Sequence, residues 1–192
     1  MRKTIIALLS VWAIMPPPGL ADSRADVIAA CAAAGERTWR SAQDPPPRMG
    51  CRELYTYALA LAEAGAHNER IEPLLKRGSQ MHDRNPDNRS YGNFRWYWND
   101  TRIVDYNAVE FCMRSAVLIW MRHADTLPEE SHRTLRETLE YAIEGCRLHA
   151  VPVSYTNIAL MRSLNLILLG ESLDKPDVAE AGYDFLNRVV LY

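Results

Sequence analysis

The chain has 192 residues, of which 48% are hydrophobic, and this is enough for one compact domain with a sizeable core. Its formal net charge is −2. Nucleic-acid binding usually depends on a strongly basic surface, so this balance predicts no nucleic-acid partner.

The N-terminus has the three parts of a secretory signal peptide. Arg2-Lys3 is the positive segment, residues 4–15 are a short apolar run, and Gly19-Leu20-Ala21 offers small residues for cleavage. The apolar run is too short to span a bilayer comfortably. We therefore predict a signal peptide over residues 1–21 and a secreted or periplasmic domain over residues 22–192, with no membrane contact after cleavage. The alternative is an uncleaved membrane anchor.

Four cysteines remain in the mature chain, and an even number permits two disulfides in an exported protein. Pairing Cys31 with Cys51, and Cys112 with Cys146, would join neighbouring predicted helices. The alternative is four buried thiols, because free cysteine is often a core residue. The cysteine spacings match no zinc motif, and we predict neither a metal ion nor a cofactor.

Apolar residues recur along the mature chain with helical periodicity, and no segment has the pattern of a strand. The first helix is predicted to end near Gly35, before a proline-rich linker over residues 43–49. A polar and aromatic loop is predicted over residues 83–101. The other predicted helices cover about residues 52–64, 68–82, 103–124, 128–150, 156–169 and 176–192.

These helices alternate between two kinds. The segment 131–147 is amphipathic, so one of its sides faces water. Segments 54–61, 109–121 and 158–169 are apolar nearly all round, which requires cover on both sides. The alternation predicts an all-α fold of stacked hairpins with inner and outer helices. Irregular spacing favours an (α/α) toroid over a short α-solenoid.

The predicted hairpins are too few to close a ring. The chain stops at residues 188–192 in an apolar run with no capping glycine, which leaves apolar surface without cover. We therefore predict an incomplete toroid that a C-terminal portion or a partner chain completes. The alternative is a terminal helix that docks on its own core.

Residues 91–100 combine five aromatic side chains with polar ones. Aromatic faces stack on sugar rings, while Arg95 or Arg102 would pair with the carboxylate of a uronate. The alternative is that the rings plug the end of the helical core, as partly buried Trp and Tyr often do.

Polar residues also lie at the start of the inner helix over 109–121. Asp105, Tyr106 and Asn107 precede it, and Glu110 continues the same stripe. A polar stripe on an apolar helix must be paired or line a cavity. Glu110 and Arg114, spaced i and i+4, are one possible pair.

A second cluster precedes the last inner helix and contains His149, Tyr155 and Asn157. Its alternative is ordinary loop and cap chemistry. If the inner helices run parallel, this cluster and the aromatic segment face each other across one cleft.

Taken with the alternating helices and the signal peptide, residues 93–100 resemble (α/α)-toroid carbohydrate-active proteins with six-hairpin-like folds, particularly secreted bacterial polysaccharide lyases. The segment is similar to the Asn- and Trp-rich substrate-binding segment of the hyaluronan and chondroitin lyase group. Residues 101–104 differ, because the Gly and Pro expected there are absent. The resemblance implies a polysaccharide or oligosaccharide ligand and, for an acidic glycan, cleavage by β-elimination.

β-Elimination needs a group that neutralises the uronate and side chains that transfer protons. Asn93 or Asn157 is the candidate for the first role, and His149 or Tyr155 for the second. The candidate substrate-binding residues are Trp96, Trp98, Arg95, Asp100, Tyr106, Asn107 and Glu110.

Two other functions remain open. A glycoside hydrolase on the same scaffold would use two carboxylates, for which Asp100, Asp105 and Glu110 are the candidates. A non-catalytic binding or scaffold protein needs no acid or base, and an incomplete ring favours this third function.

Overall fold

The computed structural model describes residues 20–192, which are helical apart from their connecting loops. The helices are α1 (Leu20–Ala34), α2 (Glu36–Gln43), α3 (Cys51–Ala64), α4 (Ile71–Ser79), α5 (Ala108–His123), α6 (Glu129–Leu148), α7 (Thr156–Ser172) and α8 (Pro176–Val190). Within residues 20–192 no strand forms, and extended residues meet only in two isolated bridges. The prediction of an all-α fold is confirmed.

The predicted signal peptide lies outside the described residues except for Leu20 and Ala21, which belong to α1. Helix α1 therefore continues across the predicted cleavage point. None of the helices from residue 20 onward is long and apolar enough to cross a bilayer.

Three hairpins follow one another along the described chain: α3–α4, α5–α6 and α7–α8. Their first helices, α3, α5 and α7, lie side by side, while α4 and α6 pack against each other in a second layer. The first helices run parallel, because hydrogen-bonded residues advance together along neighbouring helices. These pairs are Thr56 with Ser115 and Glu63 with His123 between α3 and α5, and Glu110 with Asn165 and Trp120 with Ser172 between α5 and α7.

The main core lies between the two layers. Leu54 and Leu61 of α3 are fully buried there, as are Leu135 and Leu139 of the amphipathic helix α6. The inner helices are less completely covered than their composition predicts. On α7, Leu160 and Leu164 are respectively 42% and 44% exposed.

The four cysteines are free thiols, so neither predicted disulfide is present. Cys31 is exposed on α1, whereas the other three are buried. The neighbour of Cys51 is Cys112, because α3 packs directly against α5. Burial and the adjacent Cys51 raise the pKa of the Cys112 thiol.

The N-terminal ends of α3, α5 and α7 lie at one end of the molecule, which we call the junction end. The loops 44–50, 80–107 and 149–155 meet there. Backbone bonds join the first two loops, with Cys51 N donating to Trp96 O and Trp98 N donating to Met49 O, both at 3.0 Å. Helix α5 begins at Ala108, later than predicted, so the second loop is long enough to cover this end.

Gly92 brings that loop onto helix α6. Its φ of 76° lies in the left-handed region that favours glycine. A Cβ atom at Gly92 or at Gly145 would collide with the backbone of the other residue. The two glycines therefore permit a close backbone contact between the aromatic segment and the end of α6.

Candidate functional site

Residues 91–100, here called the aromatic loop, are held in place by their own polar side chains. Arg95 donates hydrogen bonds to the backbone oxygens of Gln80, Trp98 and Asp100, at 2.9, 3.0 and 2.9 Å. The Asp100 carboxylate accepts a hydrogen bond from Tyr97 N at 3.0 Å. Arg95 and Asp100, which were predicted to bind substrate, thus stabilise the conformation of the loop.

Asn93 connects the aromatic loop to the start of α5. Its Oδ1 accepts hydrogen bonds from Phe94 N at 2.7 Å and Val109 N at 3.1 Å, and its Nδ2 donates to Tyr106 O at 2.7 Å. Val109 lies in the first turn of α5, where backbone N–H groups have no partner within the helix. Asn93 therefore caps α5 from the loop. Because it is only 1% exposed, this position does not offer its amide to a substrate.

The two predicted stacking residues are half-buried and pack against the core. The Trp96 ring lies 5.5 Å from the Phe111 ring, and Trp98 is flanked by the guanidinium groups of Arg77 and Arg95. Tyr97, which lies between them and was not a predicted site residue, is 38% exposed. Its ring is the more accessible platform for a ligand.

Glu110 and His149 form a hydrogen-bonded pair, here called the dyad. Glu110 Oε1 lies 2.9 Å from His149 Nδ1, with the Glu110 side chain fully buried and that of His149 13% exposed. The Tyr106 and His149 rings are 6.1 Å apart. Arg114, the partner suggested by helical spacing, is exposed and does not pair with Glu110. The structure thus brings together three predicted site residues from two separate clusters.

Two residues of α7 support the dyad. Arg162 Nε donates to the Cys146 carbonyl oxygen at 2.7 Å and so holds the end of α6 just before His149. Asn165 Nδ2 donates to the backbone oxygen of Glu110 at 3.0 Å. Burial raises the pKa of Glu110, while the hydrogen bond from His149 and the charge of Arg162 act in the opposite direction.

Two buried acceptors, Glu110 Oε2 in the dyad and Asn165 Oδ1 beside it, have no hydrogen-bond partner among the described residues. Buried polar atoms are normally paired, since leaving one unpaired is energetically unfavourable. The dyad region therefore contains buried hydrogen-bond acceptors that no described protein group satisfies.

The dyad has the arrangement of a proton-transfer centre. When Glu110 is ionised its carboxylate accepts the Nδ1 proton of His149, which leaves the lone pair on Nε2. Nε2 is then the atom that accepts a proton, and the buried carboxylate stabilises the imidazolium that results.

The other candidates at the start of α7 are accessible. Tyr155 is 45% exposed, Asn157 is also exposed, and neither side chain makes a hydrogen bond within the described residues. Among the described residues, no ring contact or hydrogen bond joins them to Trp96 or Trp98. Their exposure leaves both polar groups free for a ligand.

The remaining candidates lie near the start of α5. Asn107 is half-buried, and its backbone N–H is bound by the Asp105 carboxylate at 2.9 Å. Of the three carboxylates considered for a hydrolase, Asp105 is exposed, Asp100 is bound within the aromatic loop, and Glu110 is fully buried. No pair of them is accessible on both sides of a sugar ring.

A basic cavity of about 450 Å³ lies beside the aromatic loop, and His149 is not part of its wall. Arg89, Arg95 and Arg102 line it together with Asp83. The Asp83 carboxylate is already bonded, for example by Ser90 at 2.6 Å. Arg89 and Arg102 are exposed and have no ion-pair partner among residues 23–192.

No protein-family model, curated protein or solved structure matches this chain. The dyad, the exposed groups at the start of α7 and the cavities of the junction end are therefore interpreted from their own geometry.

Proposed function

We propose that the protein is an exported enzyme that cleaves an acidic polysaccharide by β-elimination, with His149 as its proton-transfer residue. The observation that carries the proposal is the buried Glu110 carboxylate, 2.9 Å from Nδ1 of a histidine whose ring reaches the surface. A buried carboxylate that orients a histidine is a recurrent device for general base catalysis.

In the proposed reaction, His149 Nε2 accepts the proton at C5 of the uronate. The electron pair of that C–H bond forms the C4=C5 double bond while the C4–O bond breaks. Tyr155 supplies a proton to the leaving oxygen, and Asn157 binds the uronate carboxylate. Of the two predicted neutralising groups, Asn157 suits this role because it is exposed, whereas Asn93 is buried.

The proposed architecture is an (α/α) toroid of which this chain supplies part. It is supported by three successive hairpins whose first helices are parallel and adjacent. The exposed apolar residues Leu160 and Leu164 lie on the inner helix α7, where further helices would cover them. A further C-terminal portion or a partner chain would complete the ring.

The direct test incubates the protein with alginate, heparin and chondroitin and follows the ultraviolet absorbance of an unsaturated uronide. The informative variant is His149→Asn, because the asparagine amide can still donate to Glu110 but cannot act as a base. His132→Ala is the control, since this histidine stacks on Trp120 away from the dyad. Product from wild type and the control, but not from His149→Asn, supports the proposal. No chromophore from any polymer contradicts it.

A second candidate is an exported glycan-binding protein without catalysis. The aromatic loop favours it, because Asn93, Arg95 and Asp100 are engaged in holding the loop and are not available for chemistry. Glycan binding that survives His149→Ala and Tyr155→Ala, without turnover by wild type, would select this function. Release of reducing sugar without the chromophore would instead indicate a hydrolase.

A further inference from the structure

A groove runs along the junction end between α2, the start of α3 and the aromatic loop. It consists of two cavities of about 490 and 340 Å³, and Glu53 and Tyr97 lie in the walls of both. We call it the Tyr97 groove. It ends at Asp105, which is next in the chain to Tyr106, whose ring lies 6.1 Å from that of His149. The groove therefore leads towards the dyad.

Tyr97 has an accessible ring on a fixed backbone. Its N–H is bound by the Asp100 carboxylate, and the residues on either side are bonded to the 44–50 linker and to the start of α3. The residue nevertheless remains 38% exposed. A ring that is already held in place loses little conformational entropy when a ligand stacks on it.

The groove also contains unpaired positive charge. The Arg48 guanidinium carbon lies 4.9 Å from the centre of the Tyr97 ring, and Arg37 lines the same wall. Neither arginine has an ion-pair partner among the described side chains. Arg52, by contrast, is paired with Glu53 at 2.7 Å. A guanidinium fork matches the geometry of a carboxylate or another planar or tetrahedral anion.

We propose that the Tyr97 groove binds an anionic oligosaccharide, with Tyr97 stacking on a sugar ring and Arg48 pairing with a carboxylate or sulfate on that sugar. The inference rests on the proposed function for the kind of ligand and deepens it, because it places the substrate chain in a groove that ends at Asp105, next in the chain to Tyr106. Trp96 and Asp105, which line the smaller cavity of the groove, were candidates from the sequence, whereas Arg37, Arg48, Glu53 and Tyr97 were not.

The test is calorimetric titration of the whole chain with three probes: a defined oligouronate, its carboxyl-reduced counterpart and a sulfated oligosaccharide. Tyr97→Ala and Arg48→Ala are each expected to weaken binding of the anionic probe about tenfold, the loss that typically follows removal of one charged or aromatic contact. Tyr97→Phe keeps the ring and is expected to retain affinity. The relative affinity of the uronate and sulfated probes identifies the anionic group.

The matched control is Arg114→Ala, an exposed arginine that lines neither cavity of the groove. It is expected to leave the affinity unchanged. Wild-type affinity in both Tyr97→Ala and Arg48→Ala would overturn the inference. So would equal binding of the neutral probe, or an equal loss in Arg114→Ala.

Different results would refute the groove proposal and the proposed catalysis. Binding that depends on Tyr97 without any turnover by wild type would refute the lyase and leave the groove in place. Turnover with an unchanged Kd and KM in Tyr97→Ala and Arg48→Ala would refute the groove and leave the lyase. His149→Asn is expected to lose turnover at unchanged Kd, because His149 does not line the groove.

Discussion

The aromatic loop and the region around His149 are both rich in polar and aromatic residues, but they differ in how their polar groups are used. In the loop, Asn93, Arg95 and Asp100 bond to backbone groups and stabilise the loop itself. Around His149, buried acceptors of Glu110 and Asn165 have no partner among the described residues, and within the loop the same is true of Trp96 Nε1. Polar density alone therefore does not show which side chains hold the fold, and the partners of each polar group must be identified.

Two histidines differ in the group that holds each ring. His82, at the base of the loop, is buried, stacks on Phe94 at 4.0 Å and bonds through Nε2 to the Gly92 carbonyl oxygen at 2.9 Å. Burial lowers the pKa of His82 to about 4, so its ring is neutral at pH 7. His149 instead has a buried carboxylate as its partner. The His82 ring is held by a backbone carbonyl oxygen, whereas the His149 ring is held by a carboxylate.

The largest expected effect is on turnover, because removing a general base typically lowers the rate by about 10²–10⁴-fold. We expect His149→Asn to lose activity in that range while its thermal midpoint stays within about 3 °C of wild type, since the Glu110 carboxylate keeps a donor. Initial rates and thermal unfolding measure the two quantities. If His149→Asn retains wild-type turnover, His149 is not the proton-transfer residue, and the region around it does not differ from the aromatic loop in this respect.

His82 should make stability depend on pH. Its folded pKa of about 4 lies below the ordinary histidine pKa of 6.5, so the unfolded state binds more protons between these values. The free energy of unfolding is therefore highest above pH 6.5, and it falls by about 3 kcal/mol as the pH is lowered towards 4. Urea unfolding of wild type and His82→Gln at pH 7 and pH 4 measures it. Equal pH dependence in the two proteins would show that His82 titrates normally.

The aromatic loop and the region around His149 also show which features could be predicted from the sequence. Helical periodicity was sufficient for the all-α fold. A polar stripe on an apolar helix led to Glu110, and the polar cluster before the last inner helix led to His149. Their pairing was not predictable, because it joins residues 39 positions apart, and a local pairing of Glu110 with Arg114 was equally consistent with the spacing. Likewise, Asn93 caps α5 across 16 positions, beyond the range of local capping patterns.

Other elements were missed because local patterns do not determine them. Helix α2 has only 8 residues and begins directly after Gly35, where the first helix was predicted to end. The exposure of Tyr97, compared with its half-buried neighbours Trp96 and Trp98, is set by bonds from a distant linker. Both features depend on tertiary contacts, which a single sequence does not encode in short-range spacing.

Asn93→Ala should destabilise the fold by about 2 kcal/mol, because it removes a helix cap and leaves buried backbone groups unpaired. Asn99→Ala is the matched control, since Asn99 is an exposed amide of the same loop whose side chain makes no hydrogen bond among the described residues. Denaturant unfolding at pH 7 compares them. Equal stability of both variants would mean that the amide of Asn93 is available for another role, as the sequence first suggested.

The smallest expected effect is at Arg95, whose three carbonyl partners lie partly within reach of water. Arg95→Met should reduce the free energy of unfolding by about 1 kcal/mol, since water replaces part of what the guanidinium provides. Arg102→Met should change it by less than about 0.5 kcal/mol, because Arg102 is exposed and unpaired in the described chain. If the two variants are equally stable, Arg95 is not required for the fold, and Arg95 becomes, with the other arginines of the 450 Å³ cavity, a candidate for binding an anion. If only Arg95→Met lowers the free energy of unfolding, Arg95 stabilises the fold, as Asn93 does. The Tyr97 groove and the dyad would then remain as the candidate functional sites of the junction end.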